Sequence, residues 1–309
     1  MSPLSEKDLH YLNKLDGVYG ASDVDLTKYS TMKLHSRGSI LKINNLNSLV
    51  DVVLYLKKNK KTYRTIGWGA NFILPEEPSF VLIKLDFEFN KGVINNNEKV
   101  FRLPGSAPLN ILTSLAIKYG LKGWEVFTGV PASLGGAIAM NAGTSLGEIG
   151  VLIKEVEILD NCGKIRKIKI NKNSFSYRKN NFLEEEDIIV YATMTYHGVE
   201  PDLGSRIKEY LSKRLESQPL KEKTCGCMYK NKELMVNDEE MSCRAGLSID
   251  IIGLKGFSIG DLRISPKHAN FMENRGRNSS SQVKTLVNET LELLEFHYGV
   301  TFETEVHIP

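Results

Sequence analysis

The sequence predicts an α+β protein, on three observations. Between residues 39 and 119, short apolar runs typical of strands alternate with stretches whose apolar residues recur at helical spacing. Between residues 155 and 196, apolar runs separated by turn residues are typical of antiparallel strands. Hydrophobic residues make up 41% of the 309-residue chain and charged residues 25%, as in an ordinary soluble globular protein.

The first predicted elements are a strand at 39–43 and the helix that follows it. Asn47 and Ser48 are residue types preferred at a helix N-terminus. The apolar residues after them share one helix face, because they recur every three or four positions: Leu49, Val52, Val53 and Leu56. Short runs rich in apolar and β-branched residues then predict strands at 62–66, 80–85 and 100–103.

A second helix is predicted over 107–119, because Gly120 is the residue type that most often ends a helix. Strands follow at 155–160, 164–170 and 188–196. A change of character near residues 197–198 precedes a helix at 203–215, which Pro219 terminates. The remaining predictions are an extended segment at 225–231, a polar stretch at 232–242, a helix at 245–252, a serine-capped helix at 282–298 and a last strand at 302–308.

Charge and cysteine content argue against several classes of protein. With 40 Lys and Arg residues against 37 Asp and Glu residues, the formal net charge is only +3. The basic residues are also spread too evenly along the chain for a nucleic-acid-binding protein. Early charges argue against a signal peptide, and no apolar run approaches the ~20 residues that span a bilayer, so we expect a cytoplasmic protein without a membrane partner. The four cysteines lack the spacing of a zinc site.

Two glycine-rich segments are candidate ligand sites. Residues 67–72 follow a strand, but Phe72 stands where a Rossmann motif needs its third glycine. This loop can hold phosphate through its backbone N–H groups, or it can be a tight turn without a ligand. Residues 129–143 are dominated by small residues, which either press the backbone against a flat or phosphorylated cofactor or form a buried helix.

Seven motifs, taken in order, resemble those of the UDP-N-acetylenolpyruvoylglucosamine reductase family, from about Tyr29 to Val306. The motifs are GWGANFIL, GLKGWEVFTGVPASLGGAIAMNAGTSLGEIG, SFSYRKNNF, KRLESQPL, TCGCMYKN, GLKGFSIGDLRISPKHANFMENRG and GVTFETEV. The resemblance implies an N-terminal arm at 1–28 and a two-subdomain FAD-binding domain of the vanillyl-alcohol-oxidase (PCMH) type at 29–199. A smaller α/β substrate-binding domain would occupy 200–309.

The same resemblance implies an activity and its cofactors. The enzyme would reduce UDP-N-acetylglucosamine enolpyruvate to UDP-N-acetylmuramate, a peptidoglycan precursor, with NADPH as reductant and FAD as hydride carrier. The residues implied for FAD binding are Gly67, Trp68, Gly69, Ala70, Asn71, Phe72, Gly129, Val130, Pro131, Ser133, Gly135, Gly136, Ala137, Met140 and Asn141. Those implied for substrate binding are Tyr177, Arg214, Tyr229, Asn231, His268 and Asn270.

Three residues match the catalytic positions of the family. Arg178 would stabilise the enolate, because a guanidinium is permanently charged and can hold a carboxylate with two hydrogen bonds. Glu305 matches the catalytic glutamate. Cys227 stands where serine is usual in the family and would protonate the enolate, since an ordinary thiol with a pKa near 8.5 is protonated at neutral pH.

The chain also departs from the family pattern, and two other functions remain open. The glycine pair usual in the family is missing from residues 29–38, and Ala70 replaces a usual serine. A flavin oxidase on the same fold often links its flavin through His or Cys, yet the glycine-rich segments contain no His. A non-catalytic flavin- or nucleotide-sugar-binding relative would have lost one of the three catalytic residues. The reductase is therefore preferred, with the oligomeric state left open.

Overall fold

The computed structural model describes residues 3–95, 97–236 and 239–309, and it divides into two compact units. Unit 1 contains the chain up to Val24, Gly38–Trp68 and Ser79–Leu211. Unit 2 contains Asp25–Arg37, Gly69–Pro78 and Ser212–Pro309. These units differ from the predicted division at 28/29 and 199/200, because two N-terminal segments contribute buried residues to the core of unit 2.

The chain forms short strands and seven described helices. The helices are α1 (Glu6–Leu12), α2 (Leu46–Lys58), α3 (Leu109–Tyr119), α4 (Leu134–Ala139), α5 (Leu203–Ser217), α6 (Ala245–Ile251) and α7 (Ser280–Tyr298). The strands are β1 (Val18–Asp25), β2 (Arg37–Ile43), β3 (Tyr63–Thr65), β4 (Val81–Leu85), β5 (Val100–Pro104), β6 (Gly143–Thr144), β7 (Gly147–Glu148), β8 (Ile153–Leu159), β9 (Ile165–Lys169), β10 (Phe175–Ser176), β11 (Lys179–Asn180), β12 (Ile188–Thr195), β13 (Lys232–Val236), β14 (Glu239–Cys243), β15 (Ser258–Ile259), β16 (Leu262–Ile264) and β17 (Met272–Asn274). None of the described helices is long and apolar enough to cross a membrane.

The first half of unit 1 is a four-stranded sheet in the order β1-β2-β4-β3, in which β4 runs parallel to β2 and to β3. Helix α2 covers it with the predicted apolar face, all of whose members are fully buried. The helix begins two residues earlier than predicted, because the Asn45 side chain accepts a hydrogen bond from the Ser48 backbone N–H. A side-chain oxygen at this position satisfies a backbone donor that the helix leaves unpaired.

The second half of unit 1 is an antiparallel sheet in the order β5-β12-β8-β9. Helix α3 packs beside it and ends at Gly120, which adopts the predicted left-handed conformation with φ 66°. Leu203 and Ile207 at the start of α5 are buried in the same core, which explains why unit 1 extends past the predicted boundary at residue 199. The fold therefore confirms the predicted α+β class and its antiparallel middle region.

Unit 2 contains two small antiparallel sheets, β13-β14 and β15-β16-β17, together with α6 and α7. Ser279 caps α7, and the Gln282 side chain accepts a hydrogen bond from the Ser279 backbone N–H. The predicted polar stretch at 232–242 forms part of the β13-β14 hairpin, and its residues 237–238 lie outside the described residues. Apolar residues of α7 line the core of the unit: Val283, Leu286, Val287 and Leu294.

The predicted strand at 302–308 is wrong. The segment is extended, but it makes only single bridges, from Thr304 to Tyr229 and from His307 to Phe72. Because it changes partner after three residues, it never builds a ladder long enough to be a strand.

The predicted N-terminal arm is also folded into unit 1 over much of its length. Leu4 and Leu12 are buried among the apolar residues of α2 and of the first sheet. Asp8 in α1 is 6% exposed, and its carboxylate accepts hydrogen bonds from the Ser5 hydroxyl at 2.6 Å and the Tyr55 hydroxyl at 2.9 Å. The Lys61 ammonium lies 2.9 Å from the same carboxylate. This ionised cluster fastens α1 to α2.

We expect Asp8→Asn to lower the free energy of unfolding of unit 1 by about 2 kcal/mol at pH 7, because the variant loses a buried charge-assisted cluster. Burial alone would raise the pKa of Asp8, but the bonds from Ser5, Lys61 and Tyr55 outweigh it and hold that pKa well below its ordinary value. The stabilisation is therefore full above the unfolded-state pKa of about 4 and is lost as the pH falls.

Urea unfolding followed by tryptophan fluorescence measures this effect, because both tryptophans, Trp68 and Trp124, belong to unit 1. The gap between the wild type and Asp8→Asn should narrow as the pH falls from about 5 to about 3, because the unfolded wild type then takes up a proton that the folded carboxylate, with its lowered pKa, does not. Asp51→Asn, at an exposed position of α2, is the matched control. A gap of constant size over this pH range would contradict the ionised cluster.

Candidate active site

A cavity of about 350 Å³ lies within unit 1, where the first sheet approaches the glycine-rich segments. Its lining includes residues from the ends of β3 and β4, the turn after β5, helix α4 and the segment 180–189. Five of the residues predicted to bind FAD line it: Gly67, Trp68, Ser133, Gly135 and Gly136. Both glycine-rich segments therefore contribute backbone to one concave surface.

The glycines of this cavity stand where a side chain does not fit. A Cβ at Gly67 would lie 2.5 Å from the Ser133 Oγ, which accepts a hydrogen bond from the Gly136 N–H and so caps α4. A Cβ at Gly105 would lie 2.4 Å from the Ile189 carbonyl oxygen, and Gly135 donates its N–H to the Gly105 carbonyl at 2.8 Å. Close packing of this kind requires glycine at these two positions.

Sequence reasoning missed Lys84 on β4, one of two basic residues in the lining of the cavity; the other, Arg64, pairs with Glu185. Its ammonium donates to the Gly67 carbonyl at 2.7 Å, which fixes the turn that follows β3. Burial lowers the pKa of Lys84, with a further contribution from Lys42. The only signal in the sequence was one charged residue inside an apolar strand, a pattern that also fits an edge position. A half-buried ammonium on a glycine surface favours an anionic ligand.

Arg178 lies in unit 1, in the two-residue turn between β10 and β11, with φ 54°. Its guanidinium donates to the Gly143 carbonyl at 3.0 Å and lies 3.8 Å from the Glu148 carboxylate. Glu148 in turn accepts a hydrogen bond from the buried Asn141 amide at 2.7 Å. Asn141 was predicted to contact FAD, but it is 1% exposed and its side chain also bonds the backbone of Ser176 and Gly150. Its side chain therefore positions Glu148, and its contact with FAD stays a prediction.

The other residues of the second glycine-rich segment divide by burial. Ala137 is fully buried in the unit 1 core and does not line the cavity, so its predicted contact to FAD stays a prediction. Gly129 and Pro131 are exposed and Val130 and Met140 half-buried, and none of these four lines the cavity. The segment thus contains both a short helix of small residues and part of the cavity lining.

The remainder of the first glycine-rich segment belongs to unit 2. Gly69 has φ 62°, and a Cβ there would lie 2.2 Å from the Tyr29 carbonyl oxygen, so this position requires glycine. The Asn71 amide donates to the Glu305 carbonyl at 3.1 Å. The Phe72 ring stacks on His307 with centroids 5.1 Å apart. These contacts attach the loop to the C-terminal segment that carries Glu305.

Cys227 lies on an extended segment that is bonded on both sides within unit 2. It forms a bridge with Phe271, and the next residue, Met228, donates its N–H to the Asn270 carbonyl at 2.8 Å. The Met228 carbonyl accepts the Glu305 N–H at 2.8 Å. The structure therefore brings the segments of Cys227 and Glu305 together from positions nearly 80 residues apart in sequence.

The electrostatics of this cluster differ between its two thiols. Burial raises the pKa of the Cys225 thiol to about 12, and the neighbouring Cys227 and Glu305 add to this shift. Cys225 is 4% exposed and its sulfur lies 3.3 Å from that of Met228, as expected for a buried small hydrophobe. Cys227 is half-buried instead. Of the two thiols, only Cys227 is accessible to a ligand.

Two predicted substrate-binding residues are part of the core instead. Tyr229 is 2% exposed and packs among the apolar residues of unit 2. Asn270 is 4% exposed, and its side chain accepts the Tyr229 N–H at 2.9 Å and donates to the Tyr229 carbonyl at 2.8 Å. Because both ends of this amide are used by backbone, Asn270 positions the cysteine segment, and its contact with a substrate stays a prediction.

The other predicted substrate-binding residues are at least partly accessible. Tyr177 is 47% exposed, with the Arg178 guanidinium 5.0 Å from its ring centre. Arg214 donates to the Gln218 side chain at 2.9 Å, and the Asn231 side chain accepts the Ala245 N–H at the start of α6. His268 is half-buried, and burial lowers its pKa. Their contact with a substrate stays a prediction.

No group of three or more His, Cys, Asp or Glu residues that could hold a metal ion occurs in the described parts of the chain.

Two family models match the sequence. The model for an FAD binding domain matches residues 39–169, and the model for the UDP-N-acetylenolpyruvoylglucosamine reductase C-terminal domain matches residues 218–309.

Similar proteins span nearly the same length. The chain is 33% identical over 287 residues to UDP-N-acetylenolpyruvoylglucosamine reductase of Thermotoga sp. (strain RQ2), covering 92% of this chain and 91% of the relative. It is 30% identical over 286 residues to the reductase of Chlamydia abortus, covering 92% of each chain. The crystal structure of the reductase of Thermus caldophilus superposes with a TM-score of 0.76 at 28% identity, covering 94% of this chain and 98% of that one. The chain belongs to the UDP-N-acetylenolpyruvoylglucosamine reductase family.

Proposed function

We propose that this protein reduces UDP-N-acetylglucosamine enolpyruvate to UDP-N-acetylmuramate, with NADPH as reductant, in peptidoglycan precursor synthesis. Family membership over 92% of the chain supports the reaction. The observation that carries the assignment to particular residues is the cluster in unit 2, where Asn270 and Glu305 bond the backbone beside Cys227. We infer that the protein acts in the cytoplasm, because the proposed reaction consumes NADPH and the cytoplasm supplies NADPH.

Bare glycine backbone and the ammonium of Lys84 support FAD as the ligand of the unit 1 cavity, whose lining also includes Arg64 and the carboxylates of Glu184, Glu185 and Asp187. Gly67 and Gly135 present bare backbone, because a Cβ at either position would contact its neighbours at 2.5 and 3.2 Å. Lys84 and the Ser133 hydroxyl supply polar groups suited to a diphosphate. FAD held there would supply the transfer of hydride from NADPH to the vinyl carbon of the substrate.

Cys227 holds the proton that completes the reduction. Addition of hydride to the vinyl carbon leaves an enolate, and the Cys227 Sγ–H gives its proton to the adjacent carbon. The net reaction consumes NADPH and one proton, so the thiolate regains its proton from solvent before the next turnover. The half-buried position of Cys227 permits both transfers, whereas the fully buried Cys225 permits neither.

Arg178 and Glu305 act on charge rather than on the proton that is transferred. The Arg178 guanidinium stabilises the negative charge that develops on the enolpyruvyl carboxylate, and Glu148 and the Gly143 carbonyl hold it in orientation. Glu305 is held through both backbone polar groups, its N–H by Met228 and its carbonyl by Asn71. A carboxylate carried on a backbone fixed in this way can orient the substrate, the role that the family resemblance implies.

We expect Gly67→Ala to weaken FAD binding about tenfold, because its methyl group displaces the Ser133 hydroxyl and removes a helix cap worth about 1 kcal/mol. In a Ser133→Ala background, Gly67→Ala should weaken FAD binding much less. The hydroxyl is then absent, and the new methyl group lies 3.4 Å from the Cβ of residue 133, an ordinary contact distance. Flavin fluorescence titration of the apoprotein measures each dissociation constant, with Gly92→Ala as control. If the losses of FAD affinity in the two single variants simply added up in the double variant, the proposed contact between the new methyl group and the Ser133 hydroxyl would be contradicted.

NADPH consumption by the FAD-loaded protein, with and without UDP-N-acetylglucosamine enolpyruvate, tests the function itself. We expect consumption that depends on the substrate. Equal consumption without it, with oxygen uptake, would favour the flavin oxidase. A flavin that NADPH does not reduce would favour the non-catalytic relative.

Cys227 variants separate the two half-reactions in the same assay. Cys227→Ala should leave reduction of the flavin by NADPH unchanged and block oxidation by the substrate, because the proton donor is lost. Cys227→Ser should retain measurable turnover, since a hydroxyl can take the same role. Cys225→Ala is the matched control at a buried position and should keep the wild-type ratio of the two rates. Equal loss in both half-reactions would contradict the assignment.

Arg178→Ala and Glu305→Gln should each slow the second half-reaction, by about 2 to 4 kcal/mol of activation free energy if preorganised charge dominates. Stopped-flow absorbance of the flavin follows this step directly. Glu303→Gln is the control for Glu305, because Glu303 is an exposed carboxylate on the same segment that pairs with Lys230 at 2.9 Å. A normal rate in either variant would remove that residue from the mechanism.

A further inference from the structure

A second cavity, of about 670 Å³, lies wholly within unit 2 and has no part in the proposed reaction. Five basic side chains line it, from three separate stretches of sequence: Lys33, His35, Arg37, Lys223 and Arg277. Such convergence does not arise from a local run of charges, since residues 33–37, 223 and 277 are distant along the chain. The cavity therefore has the electrostatic character of an anion site.

Buried amides hold the segment that carries three of these residues. The Asn274 side chain, 3% exposed, donates to the carbonyls of Met32 at 2.8 Å and Lys33 at 3.1 Å. The His35 N–H donates to the Asn278 carbonyl at 2.8 Å. Asn278 also donates from its side chain to the Asn274 side-chain oxygen at 2.7 Å. The basic segment is thus preorganised by the core beneath it, which lowers the entropy cost of binding a ligand.

Ser36 supplies an independent observation. This residue lines the cavity between His35 and Arg37 and is 0% exposed. Its hydroxyl is buried and has no hydrogen-bond partner among the described residues. A buried hydroxyl left without a partner costs about 1 to 3 kcal/mol. A ligand that accepts a hydrogen bond in the cavity would remove that cost.

The carboxylates near the cavity do not cancel its charge. Asp25 lines it, and hydrogen bonds from Thr27 together with the nearby His35 hold the pKa of that carboxyl below its ordinary value. Asp261 lies against Gly276, and Glu76 accepts a hydrogen bond from the Ser281 hydroxyl close to His35. The lining thus contains one carboxylate against two lysines, two arginines and a histidine.

We propose that this cavity binds the phosphate group of a small molecule, with Lys223 and Arg277 pairing with its charge and Ser36 donating a hydrogen bond to its oxygen. The chemistry common to free phosphate and phosphate esters is an oxyanion with two negative charges near neutral pH, and both Arg and Ser are suited to it. The proposal is independent of the reductase function, because none of these residues is assigned to it.

Isothermal titration of the FAD-loaded full chain with inorganic phosphate, pyrophosphate and glycerol 3-phosphate at low salt tests the proposal. We expect binding of at least one probe, weakened about tenfold or more by the double change Lys223→Gln and Arg277→Gln, and several-fold by Ser36→Ala. Tighter binding of glycerol 3-phosphate than of phosphate identifies an ester ligand, and the reverse order identifies the free anion.

The chain offers a closely matched control, Lys221→Gln with Arg275→Gln, because these two exposed residues lie two positions before Lys223 and Arg277 and do not line the cavity. The control should bind like the wild type. Equal loss in both double variants would mean unspecific attraction to positive charge and would overturn the site, as would absence of binding by the wild type. Reductase turnover should be unchanged in the Lys223 and Arg277 variant, and parallel loss of turnover would place these residues in the substrate site instead.

Discussion

Outside its two small sheets, unit 2 depends on buried asparagine amides. The segments at residues 227–229 and 304–307 pair with their neighbours through isolated bridges, so they lack the ladder that normally satisfies backbone groups. Asn270 bonds both polar groups of Tyr229, and Asn274 bonds two successive carbonyls after Thr31. Because an unsatisfied buried amide costs about 1 to 3 kcal/mol, these side chains fix the segments that carry Cys227 and the basic cavity.

Local patterns in the sequence were sufficient to predict most helices and strands, but not to predict which distant segments they contact. The apolar spacing of α2 and the glycine at the end of α3 lie within one element, so periodicity and capping chemistry predict them. The segment 302–308 has strand-like composition, yet its bonding changes from Tyr229 to Phe72, a fact that depends on residues far away. For the same reason Asn270 was predicted to contact a ligand, whereas its side-chain amide is hydrogen-bonded to the backbone of Tyr229, 41 residues earlier.

The glycines of the sequence indicated where the unit 1 cavity lies, although they did not indicate which other residues line it. Gly67 and Gly135 line the cavity, while Ala137 faces the core, because successive residues of a short helix point in different directions. Lys84 was not predicted, because a single lysine in a strand belongs to no recognisable motif. Its importance follows only from the 2.7 Å bond to Gly67, which the parallel pairing of β3 with β4 creates.

The two cysteines of the Cys-Gly-Cys motif show how backbone conformation assigns chemistry to identical side chains. Gly226 has φ 84°, a conformation that L side chains rarely adopt, and a Cβ there would meet no atom within 4 Å. Backbone geometry rather than crowding therefore requires glycine between the thiols. Cys225 enters the core beside Met228, where burial keeps it protonated, and Cys227 emerges on the extended segment that bonds Phe271. Since proton donation needs a thiol that can both lose and regain its proton, only the second position can serve the proposed reaction.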